Sequence, residues 1–254
     1  RLLAEVRVFD HDESLWVEAP ADLRQSLADR LDRYLIADEV EWSDDSDHWQ
    51  LVHLPGAPAS PGPAKRSGDG IAGSLPPPPS IIRQSDRLGF PGLDVWLPAD
   101  DSASLGKLLD RFGTLDPAHA EAIRIARGVP AWGTDLTEGI LPPEAGLDLT
   151  AISYTKGCYI GQEVISRIKS VGRVNRRLVR LQLDPAIDPA ALPGAELRDP
   201  ASGKSAGTLT SVSPVILDGE THRNALGFHS RRAESVSRFN LLTPLGRSEA
   251  TVAE

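Results

Sequence analysis

The stretch Lys156-Gly157-Cys158-Tyr159-Ile160-Gly161-Gln162-Glu163 decides how the rest of the chain is read. It carries the single cysteine of a 254-residue sequence. Gly157 and Gly161 bracket the Cys-Tyr pair, so the backbone there is free to turn tightly or to approach a ligand closely. Lys156 stands two residues before the sulfur, where a cation favours a thiolate. Tyr159 offers a stacking face, Gln162 an amide and Glu163 a carboxylate. Cations dominate this part of the chain. Between Lys156 and Arg180 stand Lys156, Arg167, Lys169, Arg173, Arg176, Arg177 and Arg180, against the single acid Glu163.

The totals bound the reading. Hydrophobic residues make up 40% and charged residues 25%, the balance of a globular chain. The net charge of −9 argues against nucleic acid coating the whole surface, so the basic run is a local feature of an acidic protein. No apolar run is long enough to span a membrane, and no signal peptide is visible. A cytoplasmic location is the corresponding expectation. One cysteine excludes an intrachain disulfide and a cluster held by four thiolates of one chain. The six histidines show no paired ligand spacing near Cys158, and no metal is expected. The chain lacks methionine and begins at Arg1, which leads us to expect a further N-terminal stretch.

Outward from the octapeptide, the hydrophobic pattern predicts an α+β unit followed by an all-β unit. Leu2–Phe9 and Ser14–Glu18 read as a hairpin about a turn at His11-Asp12-Glu13. Pro20 opens a helix in which Leu23, Leu27, Leu31 and Leu35 recur at intervals of four. Glu39–Ser43 and His48–Leu54 read as strands joined by a turn at residues 44–47. Residues 55–80 carry eight prolines and five glycines and read as a solvated surface insertion, ahead of a docking segment for a proline-recognising partner. Ser80–Arg83 and Gly92–Leu97 return to strand character. Helices come next, capped by Asp100 or Asp101 and by Asp116 with Pro117 in its first turn. Residues 133–149 read as loop. Beyond Asn175 come short strands at Leu178–Leu183, Glu196–Arg198, Ala206–Ser213, Val215–Leu217 and Asn224–His229, the pattern of a small barrel.

The octapeptide resembles the motif of the YgfZ family of folate-binding proteins, which is related to the aminomethyltransferase, or T-protein, of glycine cleavage. Gly128-Val129-Pro130-Ala131-Trp132-Gly133-Thr134-Asp135, Leu141–Leu147 and Val171–Leu178 are similar to the segments that flank it in both groups. The resemblance is specific over about 121–183. It implies an aminomethyltransferase-like folate-binding domain over residues 1–172, followed by a small C-terminal β-barrel domain over 173–254. It also implies a disc-like arrangement about a folate channel. The implied function is a folate-binding accessory protein that supports iron–sulfur cluster assembly or maintenance and iron–sulfur-dependent tRNA modification. Its partners would be tetrahydrofolate or a related folate and iron–sulfur assembly or client proteins, without stable nucleic-acid binding and without a membrane. Leu242–Arg247 resembles a segment that family members place before the strand at Leu2, and its position here has no physical account in the sequence.

Cys158 is the implied reactive residue, and Lys156, Gly157, Tyr159, Gly161, Gln162, Glu163, Arg176 and Trp132 are the implied folate or motif residues. A lone cysteine is also commonly a small buried hydrophobe. The basic run reads equally as a solvated face or as a site for folate carboxylates. Trp132 reads as a pterin platform or as a plug at a helix–loop junction. Glu138 and Glu144 are candidates for hydrogen bonds to pterin nitrogens. Two departures count against methylene transfer. Ala126 stands where aminomethyltransferases carry a folate-contacting glutamate, and Ala4-Glu5 matches their Asp pair. An active tetrahydrofolate-dependent aminomethyltransferase or demethylase and a non-catalytic folate-sensing module are the two alternatives.

Overall fold

The computed structural model describes residues 2–36, 39–57, 75–77, 79–243 and 246–253. The chain divides into two compact units, one formed by Arg1–Asp38 with Pro130–Glu254 and the other by Glu39–Val129.

The first unit begins with a hairpin of β1 (Arg7–His11) and β2 (Ser14–Glu18), closed by a turn in which Asp12 takes a left-handed φ of 51°. A short 3-10 turn at Ala21–Leu23 leads into α1 (Arg24–Tyr34), which matches the leucine periodicity. Leu2 reaches across the unit, its N–H donating to the Ile140 carbonyl at 3.1 Å. The strand thus starts later than Leu2, because the first residues bond to a loop instead of to β2.

The second unit is an antiparallel sheet with β5 (Gly92–Pro98) between β3 (Trp49–Pro55) and β4 (Ile81–Ser85). It also holds α2 (Ser102–Phe112) and α3 (Pro117–Ala126), capped by the Asp101 and Asp116 carboxylates as their sequences predict. Leu54, Leu93, Val95, Leu97 and Leu108 form its core. Asp94, on the central strand, is buried between His53 and Arg87, at 2.8 Å from the His53 ring and 2.7 Å from the guanidinium. Burial opposes its charge, but hydrogen bonds from His53 and Arg87 outweigh this and lower its pKa to about 2. Glu39–Ser43 is not a strand. It has no ladder partner, and Ser43 instead donates to the Asp45 carboxylate. Most of the proline-rich stretch 55–80 lies outside the described residues.

The rest of the first unit is built around a closed six-stranded barrel in the order β10-β11-β6-β9-β8-β7. Its strands are β6 (Arg176–Leu183), β7 (Glu196–Arg198), β8 (Ser205–Val212), β9 (Arg223–Ser230), β10 (Arg238–Thr243) and β11 (Gly246–Val252). Leu181, Leu183, Leu197, Leu209, Phe239 and Leu241 fill its interior. A Cβ on Gly207 would lie 2.1 Å from the Phe228 carbonyl, so β8 and β9 come closer than any side chain permits.

One sequence expectation fails here, and two elements lie where the sequence reading assigned none. Val215–Leu217 forms turns: Val215 accepts from the Ser213 hydroxyl and Leu217 from the Glu220 N–H. Leu242–Arg247 belongs to the β10–β11 hairpin, where Leu242 pairs with Arg247 and Thr243 with Gly246, and so it closes the barrel. Gln162–Val171 forms a helix, α4, where no helical element was expected. Its ends are Gly161 and Gly172, both left-handed, at φ 91° and 68°. These glycines mark helix termini, whereas in the sequence Gly161 reads as a turn signal.

Candidate functional site

Two loop segments of the first unit carry the candidate site residues, and they are built differently. The first runs from Pro130 to Leu147. Its backbone is clamped by the Asp135 side chain, which is fully buried. The Ala131 N–H donates to Asp135 Oδ2 at 3.0 Å, and the Ser211 hydroxyl donates to Oδ1 at 2.8 Å. The Thr210 hydroxyl donates to Oδ1 as well. Consecutive strand residues normally face opposite sides. The ladder shifts register between Leu209 and Ser211, and this bulge allows both hydroxyls to reach one carboxylate.

A second buried carboxylate, Glu144, sits in the short 3-10 turn Pro142–Ala145. It accepts from Arg176 Nε at 3.0 Å and from the Leu141 N–H at 3.2 Å. Arg176 lies at the start of β6 with its guanidinium 4.9 Å from the Phe228 ring centroid. Leu136, Ile140, Ala145, Leu147 and Phe228 form the apolar cluster beneath, and Trp132 packs against it. Asp135, Ile140, Arg176 and Phe228 border a cavity of about 320 Å³ whose walls also include Thr137, Thr208 and Ser230.

The second segment is the octapeptide. Cys158 is free and exposed, and it comes after an exposed Lys156 and Gly157. Lys156 Nζ stands 4.9 Å from the centre of the Tyr159 ring, so the cation is directed to the aromatic face. The Tyr159 hydroxyl is buried with no hydrogen-bond partner among the described residues. Gly161 takes the left-handed conformation that starts α4. Gln162 opens that helix, its N–H donating to the Tyr159 carbonyl at 3.1 Å. Glu163 points to solvent and bridges Arg167 at 2.8 Å, one helical turn on. Glu138 is exposed.

The structure therefore divides the basic run. Arg167 is bridged to Glu163, Lys169 Nζ lies 3.6 Å from the centre of the Tyr154 ring, and Arg176 is held by Glu144. Trp132 belongs to the clamped segment and Arg176, on β6, is tied to it through Glu144, while Lys156 and Cys158 belong to the exposed one. Asp135, Thr210, Ser211 and Phe228 were not anticipated as site residues. Asp135 ends the Gly128–Asp135 motif, but only the β8 bulge brings it both hydroxyls.

No protein-family model matches the chain. Among curated proteins it is similar to the mitochondrial iron-sulfur cluster assembly factor IBA57 of Mus musculus, 34% identical over 119 residues, covering 44% of this chain and 33% of that protein. It is also similar to the tRNA-modifying protein YgfZ of Edwardsiella ictaluri, 33% identical over 124 residues, covering 48% of this chain and 37% of that protein. Over part of its length the chain is thus similar to proteins named IBA57, YgfZ and aminomethyltransferase. The aligned segments cover 27% to 50% of the first three curated relatives, so they span half of those proteins or less. Among solved structures, the glycine cleavage aminomethyltransferase T of Bartonella henselae superposes with a TM-score of 0.75 at 18% identity, covering all of this chain and 71% of that one. The expected α+β fold with a C-terminal barrel is thereby borne out, as is the resemblance to the YgfZ family. No helix among the described residues is long and apolar enough to cross a membrane.

Proposed function

We propose that this chain is part of a folate-binding accessory protein that supports iron–sulfur cluster assembly or maintenance and, through it, iron–sulfur-dependent tRNA modification. The observation that carries this reading is the placement of Cys158. A lone cysteine used for packing would be buried, yet this one is exposed, in a glycine-bracketed loop before a helix. The names of the relatives point the same way. Cys158 would act as the reactive thiol, in exchange with a client or in transient contact with a cluster.

The folate reading rests on the cavity beside Arg176. It offers a cation, several hydroxyls and an aromatic wall at Phe228, a donor set suited to a ligand with a flat ring and carboxylates. Arg176, Trp132 and the octapeptide residues Lys156, Gly157, Tyr159, Gly161, Gln162 and Glu163 are the proposed contacts or supports. We map the family's two domains onto residues 1–172 and 173–254 and place the protein in the cytoplasm.

Aminomethyl transfer is the second reading, favoured by the fold. Against it stand Ala126 and Ala4-Glu5, which remove acidic groups that recognition and proton handling need. The test is complementation of cells that lack the corresponding protein. Cys158→Ser is expected to leave the amount and fold of the protein unchanged and to lower the activity of iron–sulfur enzymes. Full support by the serine variant would remove the thiol from the mechanism.

A further inference from the structure

A second cavity of the first unit, about 250 Å³ in volume, has a different chemistry. It is walled by Gly172, Arg173 and Val174 ahead of β6, by Arg177 and His229 on β6 and β9, and by Arg231 and Glu234 beyond β9. Arg177 and His229 are direct cross-strand partners, so their side chains emerge on one side of the ladder. The Arg231 N–H donates to the Asn175 carbonyl at 2.9 Å, which fixes the exit of β9 against the entry of β6. The site is therefore built on paired strands. Its three guanidiniums are exposed, and none is held by a carboxylate in an ion pair among the described residues.

His229 supplies the independent observation. It is 7% exposed, and its Nδ1 is buried without a hydrogen-bond partner among the described residues. A buried polar atom without a partner carries a cost, and it belongs to a side chain that forms part of this cationic wall. No Phe, Tyr or Trp ring is among the wall residues, which does not suit a pterin or a nucleobase. Three guanidiniums against one carboxylate leave two net positive charges. Several planar forks on the wall of one cavity match the oxygens of a tetrahedral dianion better than a single flat carboxylate.

We propose that this pocket binds a phosphate dianion, either inorganic phosphate or the terminal group of a phosphate monoester. Burial lowers the pKa of His229, and Arg177 acts in the same direction, while a backbone hydrogen bond with Ala233 and the charge of Glu234 oppose them. Arg173 and Arg231 face the same cavity. A bound dianion favours the imidazolium and therefore raises the His229 midpoint.

The experiment tracks histidine resonances by NMR during titration with sodium phosphate, against sodium chloride at matched ionic strength. His229→Gln identifies the signal among the six histidines. Saturable binding is expected, with a dissociation constant on the order of 1 mM and an upward shift of the His229 midpoint. The Arg177→Gln/Arg231→Gln double variant, both positions being exposed, is expected to keep its circular dichroism and lose about tenfold in affinity. Methyl phosphate separates the sources: tighter binding than phosphate indicates a monoester, and weaker or equal binding indicates the free ion. An unmoved His229 signal, or equal affinity in the folded double variant, overturns the proposal. So does selective saturation by oligo-γ-glutamate, which would assign the pocket to a folate's glutamyl chain and leave the folate reading intact.

Discussion

The Pro130–Leu147 segment and the Lys156–Gly161 loop both reach the barrel unit as irregular chain, yet they are held in opposite ways. The first is anchored by two buried carboxylates, Asp135 and Glu144, each bonded to a barrel strand or its cation. The second leaves Lys156, Gly157 and Cys158 exposed. Rigid polar anchoring shapes a cavity, whereas exposure keeps a thiol accessible to a partner. The groups suited to binding and the group suited to exchange are thus segregated within one unit.

The sharpest way to break this contrast is to remove the first anchor. Asp135→Ala leaves the part-buried Ala131 N–H and Thr210 hydroxyl and the buried Ser211 hydroxyl without this acceptor. The expected loss is about 3 kcal/mol or more in urea denaturation. A loss comparable to that of a surface change would mean that the segment is not clamped.

A third buried carboxylate extends the comparison to the Glu39–Val129 unit. Asp94 has its pKa lowered from 3.8 to about 2, so its contribution is present above pH 4 and is lost as the pH falls through the folded value near 2. The shift corresponds to about 2 kcal/mol. Denaturation measured between pH 6 and pH 2 should show this acid-sensitive component, and Asp94→Asn should lack it.

Glu144→Gln keeps the shape but removes the charge that holds Arg176, with an expected cost of about 1–2 kcal/mol because Arg176 remains partly solvated. At the small end, Cys158→Ser is expected to change stability by no more than about 0.5 kcal/mol. The native thiol should alkylate readily with iodoacetamide, and a thiol that reacts only after unfolding would place Cys158 in the packing.

Alternation made most strands legible before the fold was known, since Leu181 and Leu183 face inward between polar neighbours. Aspartate before a helical run located the caps of α2 and α3 for a local reason. Elements whose cause is not local were missed. Thr210 and Ser211 serve Asp135 only because of a bulge, which leaves no mark in the alternation. Helix α4 buries Ile165 and partly buries Ile168 on one face, an amphipathic period that went unread because Gly157 and Gly161 before it suggested a turn. The β10–β11 hairpin was obscured by the likeness of Leu242–Arg247 to a segment from elsewhere in the family. His229 and Arg231 meet Arg173 and Arg177 only through the β6–β9 pairing. The octapeptide was conspicuous because its chemistry lies in consecutive residues.

The central claim, a folate site in the clamped segment beside a separately placed thiol, is most directly tested by calorimetric titration with tetrahydrofolate and its polyglutamates. The account predicts stoichiometric binding, tighter for polyglutamates and weakened by salt, that Cys158→Ser preserves and Arg176→Gln reduces. Absence of binding heat with every folate form across several temperatures, or affinity lost in the serine variant and unchanged in the Arg176 variant, would contradict it.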